Sequence, residues 1–597
     1  MNLSKQRWVI GPAADISVLI ATPLAIVPLF TLFLNFIPLA AMKLGILGIS
    51  ATGHHLPGLI RAYTDKSIFK QFRLRLILVP FLFLVMTALT AYFKLSLAFF
   101  VLIVWSTWHG SMQILGFLRI YDVKAGFRSA LTARLDFWIC LSWFIQVVLW
   151  SPSRKTSVFS SFYLAGGPLV SVSWLKVFET AWLALVVGVT TAYVCNAAYN
   201  GIKHRYLNVP KLLCLAASVG FWAYCMISVG NLIIGLIMWE IFHDLQYNVF
   251  VWNYNRARVS RNLSESKIER FLFQLDWKKI AIYTLCIVAY GCIGLLTRDL
   301  VNVYQNERTY GNLLFRIGNV FAASGLIHFY LDGFIWKVRD GKVQQDLGMA
   351  AKEGFRQRPK ALHGICVTLF FSAAAFLAVS EYTHMNAYGK ESQTDSLADL
   401  VPESGYANFM KASRLKAGGK TDSALFYYDR AIRCDSSYGF SHAFIADLKA
   451  QAGDLQGAVF HYEKALTLDP ENALIQENLG NLYLQTGEYA KAKERFSGLL
   501  ASDPGNAELN YQIAWSLLQM KKGLEAKPYL EKTLRLNPSQ PKALNYLGMV
   551  EQALGNLDSA RQLYRRSLAL DSTYAHAKEN LTASGAGPRS PTIRSRR

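Results

Sequence analysis

The sequence predicts an all-α protein in which a polytopic helical membrane bundle is followed by an α-solenoid of five repeats. The 597-residue chain is 52% hydrophobic, has a mean hydropathy of +0.22 and contains only 17% charged residues, a composition typical of membrane proteins. Apolar runs of about 20 residues, the length that crosses a bilayer, recur through the first part of the chain. A periodicity of 34 residues then replaces them.

About eleven apolar runs are predicted to span the membrane. They centre on residues 16–39, 44–60, 76–93, 95–117, 136–150, 177–197, 212–229, 231–252, 280–297, 313–335 and 361–381. The first run is embedded in this array, so we do not expect it to be a cleaved signal peptide.

Loop charge predicts the orientation of the bundle, because cytoplasmic loops are enriched in Lys and Arg. With the N-terminus in the cytoplasm, the segments on that side hold 28 Lys and Arg residues and the opposite loops about seven. Eleven spans then place the C-terminal half outside the cytoplasm. We therefore expect a bacterial inner (cytoplasmic) membrane protein with periplasmic repeats. Since loop placement explains the basic charge, we expect no nucleic-acid partner.

Five histidines in four predicted spans are the candidate functional residues. His54 and His55 lie in the second span, His109 in the fourth, His243 in the eighth and His328 in the tenth. All four spans run toward the cytoplasm. Each histidine precedes the first cytoplasmic Arg or Lys by 6 to 13 residues, which is about 10–20 Å along a helix. The five side chains are therefore predicted to occupy one slab of the bilayer.

Other polar groups lie within about one helical turn of these histidines and share their helix faces. They are Gln113, Glu240, Tyr247 and Asp332. A metal-bound histidine needs such a neighbour to fix its ring, and polar groups inside spans are costly and tend to mark function. We predict a metal site with ligands from His54, His55, His109, His243, His328, Glu240 and Asp332. The alternatives are a proton-transfer or substrate-binding pocket and hydrogen bonding between helices.

A second set of residues is predicted to orient the ligands or to bind substrate. It comprises Gln113, Asp244, Tyr247, His363, Arg61 and Arg119. For the two arginines, anchoring at the cytoplasmic interface is the alternative. Imidazole suits iron, copper and zinc. We expect iron, because a redox-inert metal has less reason to lie within hydrocarbon, and haem stays an alternative. No catalytic residue is assigned.

One short motif in the membrane half, GHHLPG, contains the pair His54 and His55. A histidine-lined pocket with such a pair is similar to membrane non-haem di-iron desaturases and hydroxylases. This resemblance implies oxidation of a lipid chain. The two later histidine boxes of those families are absent from the sequence, so no catalytic residue is carried over from them.

The C-terminal repeat is defined by small residues and prolines at fixed spacing. Alanine recurs every 34 residues, at Ala424, Ala458, Ala492, Ala526 and Ala560. Glycine marks the turn between two helices at Gly419, Gly453, Gly487 and Gly555, and proline closes repeats at Pro470, Pro504 and Pro538. These residues, with ENLGNLYLQTGEYAKAKERF, resemble the tetratricopeptide repeat family. The resemblance implies a right-handed solenoid whose concave face binds a protein or peptide.

The predicted domains are a membrane domain at 1–384, a polar linker at 385–406, repeats at 407–585 and a basic disordered tail at 586–597. The leading hypothesis is a metal-dependent membrane oxidoreductase (oxygenase or hydroxylase) that acts on a membrane lipid or another apolar substrate. One alternative is a non-enzymatic scaffold for envelope assembly. Another is a glycosyltransferase that uses polyprenyl-phosphate sugars, whose plan of spans and repeats is similar. Those enzymes have acidic residues in the first external loop, whereas NFIPLAAMK has none.

Overall fold

The computed structural model describes residues 8–37, 41–42, 45–46, 50–93, 95–229, 231–303, 310–335, 360–384, 390–435 and 439–585. Within these ranges every regular element is a helix. The chain divides into two compact units, Met1–Ala407 and Asn408–Arg597. The prediction of an all-α fold is confirmed. The predicted tail, 586–597, lies outside the described residues.

In its described residues the first unit consists of helices, with turns and loops between them. They are α1 (Pro12–Ile20), α2 (Thr22–Phe33), α3 (Ala51–Gly53), α4 (His55–Thr64), α5 (Lys66–Tyr92), α6 (Leu97–Lys124), α7 (Ala130–Trp150), α8 (Pro152–Leu164), α9 (Val172–Lys203), α10 (Val209–Ala223), α11 (Leu232–Ser260), α12 (Lys267–Leu272), α13 (Trp277–Val303), α14 (Tyr310–Ile335), α15 (Lys360–His384) and α16 (Lys390–Leu400).

Six helices in the described part of the chain are long and apolar enough to cross a membrane. They are α5, α6, α7, α9, α10 extended to Ser228, and His363–Thr383 within α15. The pair α1 and α2, which meet at 49°, would make a seventh span. Although α11 has 29 residues, its polar side chains lower its hydropathy and it fails the same criterion. The count of eleven spans therefore stays a prediction.

Polar caps fix where two helices of the first unit begin. The Asp65 side chain accepts hydrogen bonds from the backbone N–H groups of Ser67 and Ile68, 3.0 and 3.2 Å away, at the start of α5. The Asn231 side chain does the same at the start of α11. Such caps satisfy N–H groups that a helix cannot pair internally. They set the turns that precede two helices of the bundle.

Helix α14 lies at the centre of the unit and packs against α4, α5, α6 and α13. Helix α11 packs against α2 and α4. The four elements that carry the predicted histidines therefore converge. In the predicted linker, α16 packs Leu397 and Leu400 into an apolar cluster with Tyr163 and Leu175, so part of that segment is helical and buried.

The second unit is a series of helix pairs. Its helices are α17 (Gly405–Ala417), α18 (Thr421–Cys434), α19 (Gly439–Gln451), α20 (Leu455–Leu468), α21 (Ala473–Thr486), α22 (Tyr489–Ser502), α23 (Ala507–Gln519), α24 (Gly523–Leu536), α25 (Pro541–Ala553), α26 (Leu557–Leu570) and α27 (Ala575–Ala583). The five alanines of the 34-residue period are fully buried. They lie where paired helices pack, as their spacing predicts.

The turn inside each repeat uses the left-handed backbone conformation. Gly419, Gly453, Gly487 and Gly555 have φ between 73° and 85°. The same position of the fourth repeat is Lys521, with φ 62°. A side chain in this conformation costs roughly 1–2 kcal/mol because its Cβ approaches the following carbonyl oxygen. The fourth repeat therefore contains a strained residue where the other repeats have glycine.

Replacing Lys521 with glycine is expected to stabilise the repeats by about 1 kcal/mol, since it removes this strain. The increase should be measured as slower hydrogen exchange across α23 and α24 in the full-length protein. The matched control is Lys522→Gly, because Lys522 has a negative φ of −100°. If both variants gave the same exchange, the strain at Lys521 would be disproved.

Two histidines on neighbouring helices of the second unit face each other. The Nδ1 atoms of His442 on α19 and His461 on α20 lie 3.0 Å apart. In this hydrogen bond one ring donates and the other accepts, so the two histidines cannot carry a positive charge at the same time. Burial lowers the pKa of His461 to about 4, helped by His442, and burial also lowers the pKa of His442. The charged neighbours are Asp429, Lys449, Asp454 and Lys464.

Acidification is therefore expected to destabilise these repeats. In the unfolded chain the histidine binds a proton below about pH 6.5, whereas in the folded protein His461 binds one only near pH 4. The free energy of unfolding therefore decreases as the pH falls from about 6.5 to about 4. The unfolding temperature of the repeats should drop by a few degrees from pH 7 to pH 5. His461→Gln should flatten that dependence, measured by thermal scans or hydrogen exchange of the full-length protein. An equally steep pH dependence in this variant would contradict the assignment.

Candidate metal centre

The five predicted histidines meet in one buried place, which we call the histidine pocket. His54, His55, His109, His243 and His328 are each at most 8% exposed. Their rings form a chain of contacts. The centroid of the His54 ring lies 4.6 Å from that of His55, 4.7 Å from that of His328 and 5.4 Å from that of His243. The His109 ring lies 4.9 Å from that of His328 and 5.1 Å from that of His243.

Two groups of side chains in the pocket could hold a metal ion. One consists of His54, His109 and His328, and the other of His54, His243 and Asp244. In each group the candidate ligand atoms lie within 4.8 Å of one another. Ligands bonded at about 2.0–2.2 Å can be no more than about 4 Å apart on one ion. Side-chain shifts of less than an ångström would therefore close either group.

Asp244 orients His54. Its Oδ1 atom lies 2.9 Å from His54 Nδ1, and its Oδ2 atom accepts a hydrogen bond of 2.6 Å from the Ser50 hydroxyl. Such a carboxylate–histidine contact fixes the ring and directs the other nitrogen, Nε2, elsewhere. Asp244 was predicted as an orienting residue, and the structure gives it that position as well as a place in the second ligand group.

His55 contacts a serine hydroxyl that in turn contacts a tyrosine hydroxyl. Its Nδ1 atom lies 3.1 Å from Ser324 Oγ, which lies 2.8 Å from the Tyr290 hydroxyl. The His55 ring also stacks on that of His328, with centroids 4.6 Å apart and planes at 26°. His55 belongs to the pocket but to neither ligand group.

A third contact set surrounds His328. Its Nε2 atom lies 3.6 Å from Asp332 Oδ2, and Asp332 Oδ1 accepts a hydrogen bond of 3.0 Å from the Tyr247 hydroxyl. Gly58 makes room for this contact, because a Cβ there would lie 2.9 Å from the Tyr247 hydroxyl oxygen. A side chain larger than glycine at position 58 would displace the tyrosine.

Several buried nitrogen atoms in the pocket have no hydrogen-bond partner among the described residues. They are Nε2 of His54, Nε2 of His109, Nδ1 of His243 and both ring nitrogens of His328. Buried polar atoms are ordinarily paired, and each exception calls for an explanation such as a bound ion. These atoms come from three helices and the turn before α4, and they fit the donor set of a transition metal.

Gln113 and Glu240 lie beside the pocket. Gln113 Nε2 donates to the backbone carbonyl of His243, 3.2 Å away, and so connects α6 to α11. Glu240 is partly buried and interacts electrostatically with His54, Asp244 and Arg154. It belongs to neither ligand group.

Three predicted residues lie elsewhere. Arg61 donates a 2.8 Å hydrogen bond to the Tyr254 hydroxyl and stacks on that ring, 4.3 Å from its centroid. His363 Nε2 lies 2.9 Å from the Tyr330 hydroxyl. Arg119 belongs to a separate cluster of charges. These contacts lie outside the two ligand groups.

That separate cluster is buried at the end of α6. Lys211 Nζ lies 2.8 Å from Asp122 Oδ2 and 2.7 Å from Asp136 Oδ1, and Arg119 Nη1 lies 2.8 Å from both aspartates. The Tyr206 hydroxyl donates to Asp122, 2.7 Å away. Two cations and two carboxylates balance, so this cluster joins α6, α7 and α10 as a structural element.

Several residues of the site are not among the predicted ones. Ser50 lies four residues before His54, and Ser324 lies four residues before His328. This helical spacing is the signal that could have found them. Tyr290 and Arg154 carry no such signal, because their helices contain no predicted site residue.

Comparisons with known proteins bear on the repeats. The tetratricopeptide repeat family model matches residues 449–515 and, in a second match, residues 511–575. No curated protein matches the chain.

Among solved structures, the chain is similar to YrrB, described as a tetratricopeptide repeat protein with an unusual peptide-binding site. The identity is 17%, the match covers 31% of this chain and 96% of that chain, and the TM-score is 0.30. MamA from Desulfovibrio magneticus RS-1 matches at 19% identity; the match covers 28% of this chain and 96% of that chain, with a TM-score of 0.27. PilF of Pseudomonas aeruginosa matches at 25% identity over 31% and 90%, with a TM-score of 0.24.

Proposed function

We propose that this protein, whose residues 449–575 are tetratricopeptide repeats, is a metal-dependent membrane oxidoreductase that acts on a lipid or another apolar substrate. The observation that carries the proposal is the convergence of five buried histidines and Asp244 from distant parts of the chain. Helix pairing alone would not leave imidazole nitrogens of four of these histidines without partners. The repeats bind a protein or peptide, as such solenoids do on their concave surfaces.

Iron is the metal we propose, and haem is the alternative. A bound iron would supply one-electron and dioxygen chemistry in a site surrounded by apolar side chains. The residues that would hold it are those of the two ligand groups. The chain's own contribution is to orient these ligands: Asp244 fixes His54, and Ser324 positions His55. Burial of all five rings excludes water from the site.

We place the protein in the inner membrane of a bacterium, with the N-terminus in the cytoplasm and the repeats in the periplasm. The support is the excess of Lys and Arg in alternate loops of the first unit. The membrane lipid phase then surrounds the histidine pocket, and the repeats meet periplasmic partners.

The test is the metal content of the full-length protein, purified in detergent and measured by mass spectrometry together with its absorption spectrum. We expect about one or two irons per chain. His54→Ala should lose this metal, because His54 belongs to both ligand groups. The matched control is His363→Ala, whose histidine lies against Tyr330 and which should retain the metal. A folded wild-type protein without metal would refute the proposal.

A second candidate function is a membrane-anchored scaffold, favoured by the repeats alone. It predicts that full-length His54→Ala restores a deletion strain as well as the wild-type protein does. If this variant accumulates normally and fails to restore the phenotype, the scaffold function is insufficient. The glycosyltransferase is the third candidate, tested by transfer from a labelled polyprenyl-phosphate sugar.

A further inference from the structure

A large apolar cavity lies between α6, α7, α8 and α9. Its volume is about 610 Å³, within the range of about 300–1,000 Å³ that small-molecule sites occupy. Only two of its lining side chains, Thr107 and Lys155, carry a hydroxyl or a charge, and the rest are aliphatic or aromatic. Trp174 and Phe178 of α9 line it and are largely exposed. The cavity is thus open at a surface that the sequence predicts to face lipid.

Two aromatic rings, those of Phe144 and Trp239, lie in succession between this cavity and the histidine pocket. Phe144 lines the cavity, and its ring centroid lies 5.6 Å from that of Trp239. The centroid of the Trp239 ring in turn lies 6.4 Å from that of the His243 ring. Along α6 the separation is one residue, since Trp108 lines the cavity and His109 lies in the histidine pocket. A chain in the cavity would lie across the rings of Phe144 and Trp239 from the proposed metal site.

The cavity has a polar end. The Thr107 hydroxyl lies 3.4 Å from Nη2 of Arg154. Arg154 is only 5% exposed, and its Nε has no hydrogen-bond partner in the described ranges of the chain. Beside it, Lys155 Nζ lies 2.9 Å from Glu179. Arg154 itself does not line the cavity; it lies behind Thr107 and adds positive charge to this end. Lys155 and the Thr107 hydroxyl are therefore the groups suited to bind a carboxylate oxygen.

We infer that this cavity binds a single-chain anionic amphiphile of the fatty-acid class. Its hydrocarbon chain lies among the apolar side chains, and its head group lies at Lys155 and the Thr107 hydroxyl. The inference deepens the proposed function and rests on it, because it names the class of molecule placed beside the histidine pocket. The binding itself requires no metal.

The test uses palmitic acid that carries a photoactivatable diazirine on its chain, added to the full-length protein in detergent. Crosslinks should map to peptides within residues 141–178 and should be competed by unlabelled palmitate. Ile145→Trp fills the cavity and should reduce labelling at least fivefold; Leu141→Trp serves if that variant fails to fold. The matched control is Val187→Trp on α9, at a 58% exposed position outside the cavity, which should label as the wild type does.

A second comparison tests the head group. The diazirine alcohol of the same chain length should label several-fold less than the acid, and Lys155→Gln should remove that difference. If the protein is still labelled in both cavity-filling variants, the inference that the chain binds in this cavity is wrong. If the acid and the alcohol label equally, the inference of an anionic head group is wrong. A metal-free wild-type protein that still labels as expected would overturn the proposed function and leave the binding site intact.

Discussion

Replacing Asp244 with asparagine is expected to lower the affinity of the histidine pocket for metal by about 10–100-fold, the usual effect of removing a carboxylate that orients a ligand histidine. Asp244 lies 2.9 Å from His54 Nδ1 and is itself fixed by Ser50. Asparagine keeps the shape of the side chain but removes its negative charge. That charge holds the His54 ring with Nδ1 toward Asp244 and Nε2 directed away from it. The measurement is iron retained during titration with a chelator.

Asp332→Asn is the comparison for this variant. Its carboxylate lies 3.6 Å from His328 Nε2, beyond hydrogen-bond distance, and is partly exposed, so the loss of affinity should be smaller. Equal affinity in Asp244→Asn and the wild-type protein would show that Asp244 does not orient a ligand.

Lys211→Met is expected to destabilise the first unit by about 3–5 kcal/mol, because it removes one of the two cations that pair with two buried carboxylates. Lys211 contacts both Asp122 and Asp136, which are fully buried. Only Arg119 would remain to balance the two aspartates. The measurement is the temperature at which the detergent-solubilised protein loses its monodisperse peak in size-exclusion chromatography.

Two variants make the Lys211 result specific. Lys155→Met breaks a more accessible pair with Glu179 and should cost at most about 1 kcal/mol. Adding Asp136→Asn to Lys211→Met removes one uncompensated charge and should restore part of the lost stability. A Lys211→Met protein as stable as the wild type would show that Arg119 alone neutralises both carboxylates.

A common depth for the histidines could be predicted from the sequence, because distance along a predicted span is a one-dimensional property. Four predicted spans of one direction, each with a histidine at a similar distance from its first cation, imply one level in the membrane, whereas convergence of the rings at that level does not follow from it. The order of helices around the bundle is not encoded in such local spacing. For this reason the sequence did not show that Arg154 lies near Glu240 or that Arg119 lies in the separate cluster of charges.

The repeats were predictable for a different physical reason. Each repeat solves the same packing problem, so a small residue recurs wherever two helices pack, as at Ala458 and Ala492. Lys521 shows the limit of this argument. The left-handed backbone conformation is kept at this position although the residue is lysine and not glycine. Sequence spacing reports residue types, so it did not predict this conformation.

The fixed 34-residue period has an evolutionary consequence. In the repeats each described helix pair packs on the pairs before and after it in the chain, so every internal interface is of one kind. Duplication or deletion of one whole unit would join surfaces that already fit one another. The array of repeats can therefore change its length in steps of one repeat without substitutions elsewhere in the chain.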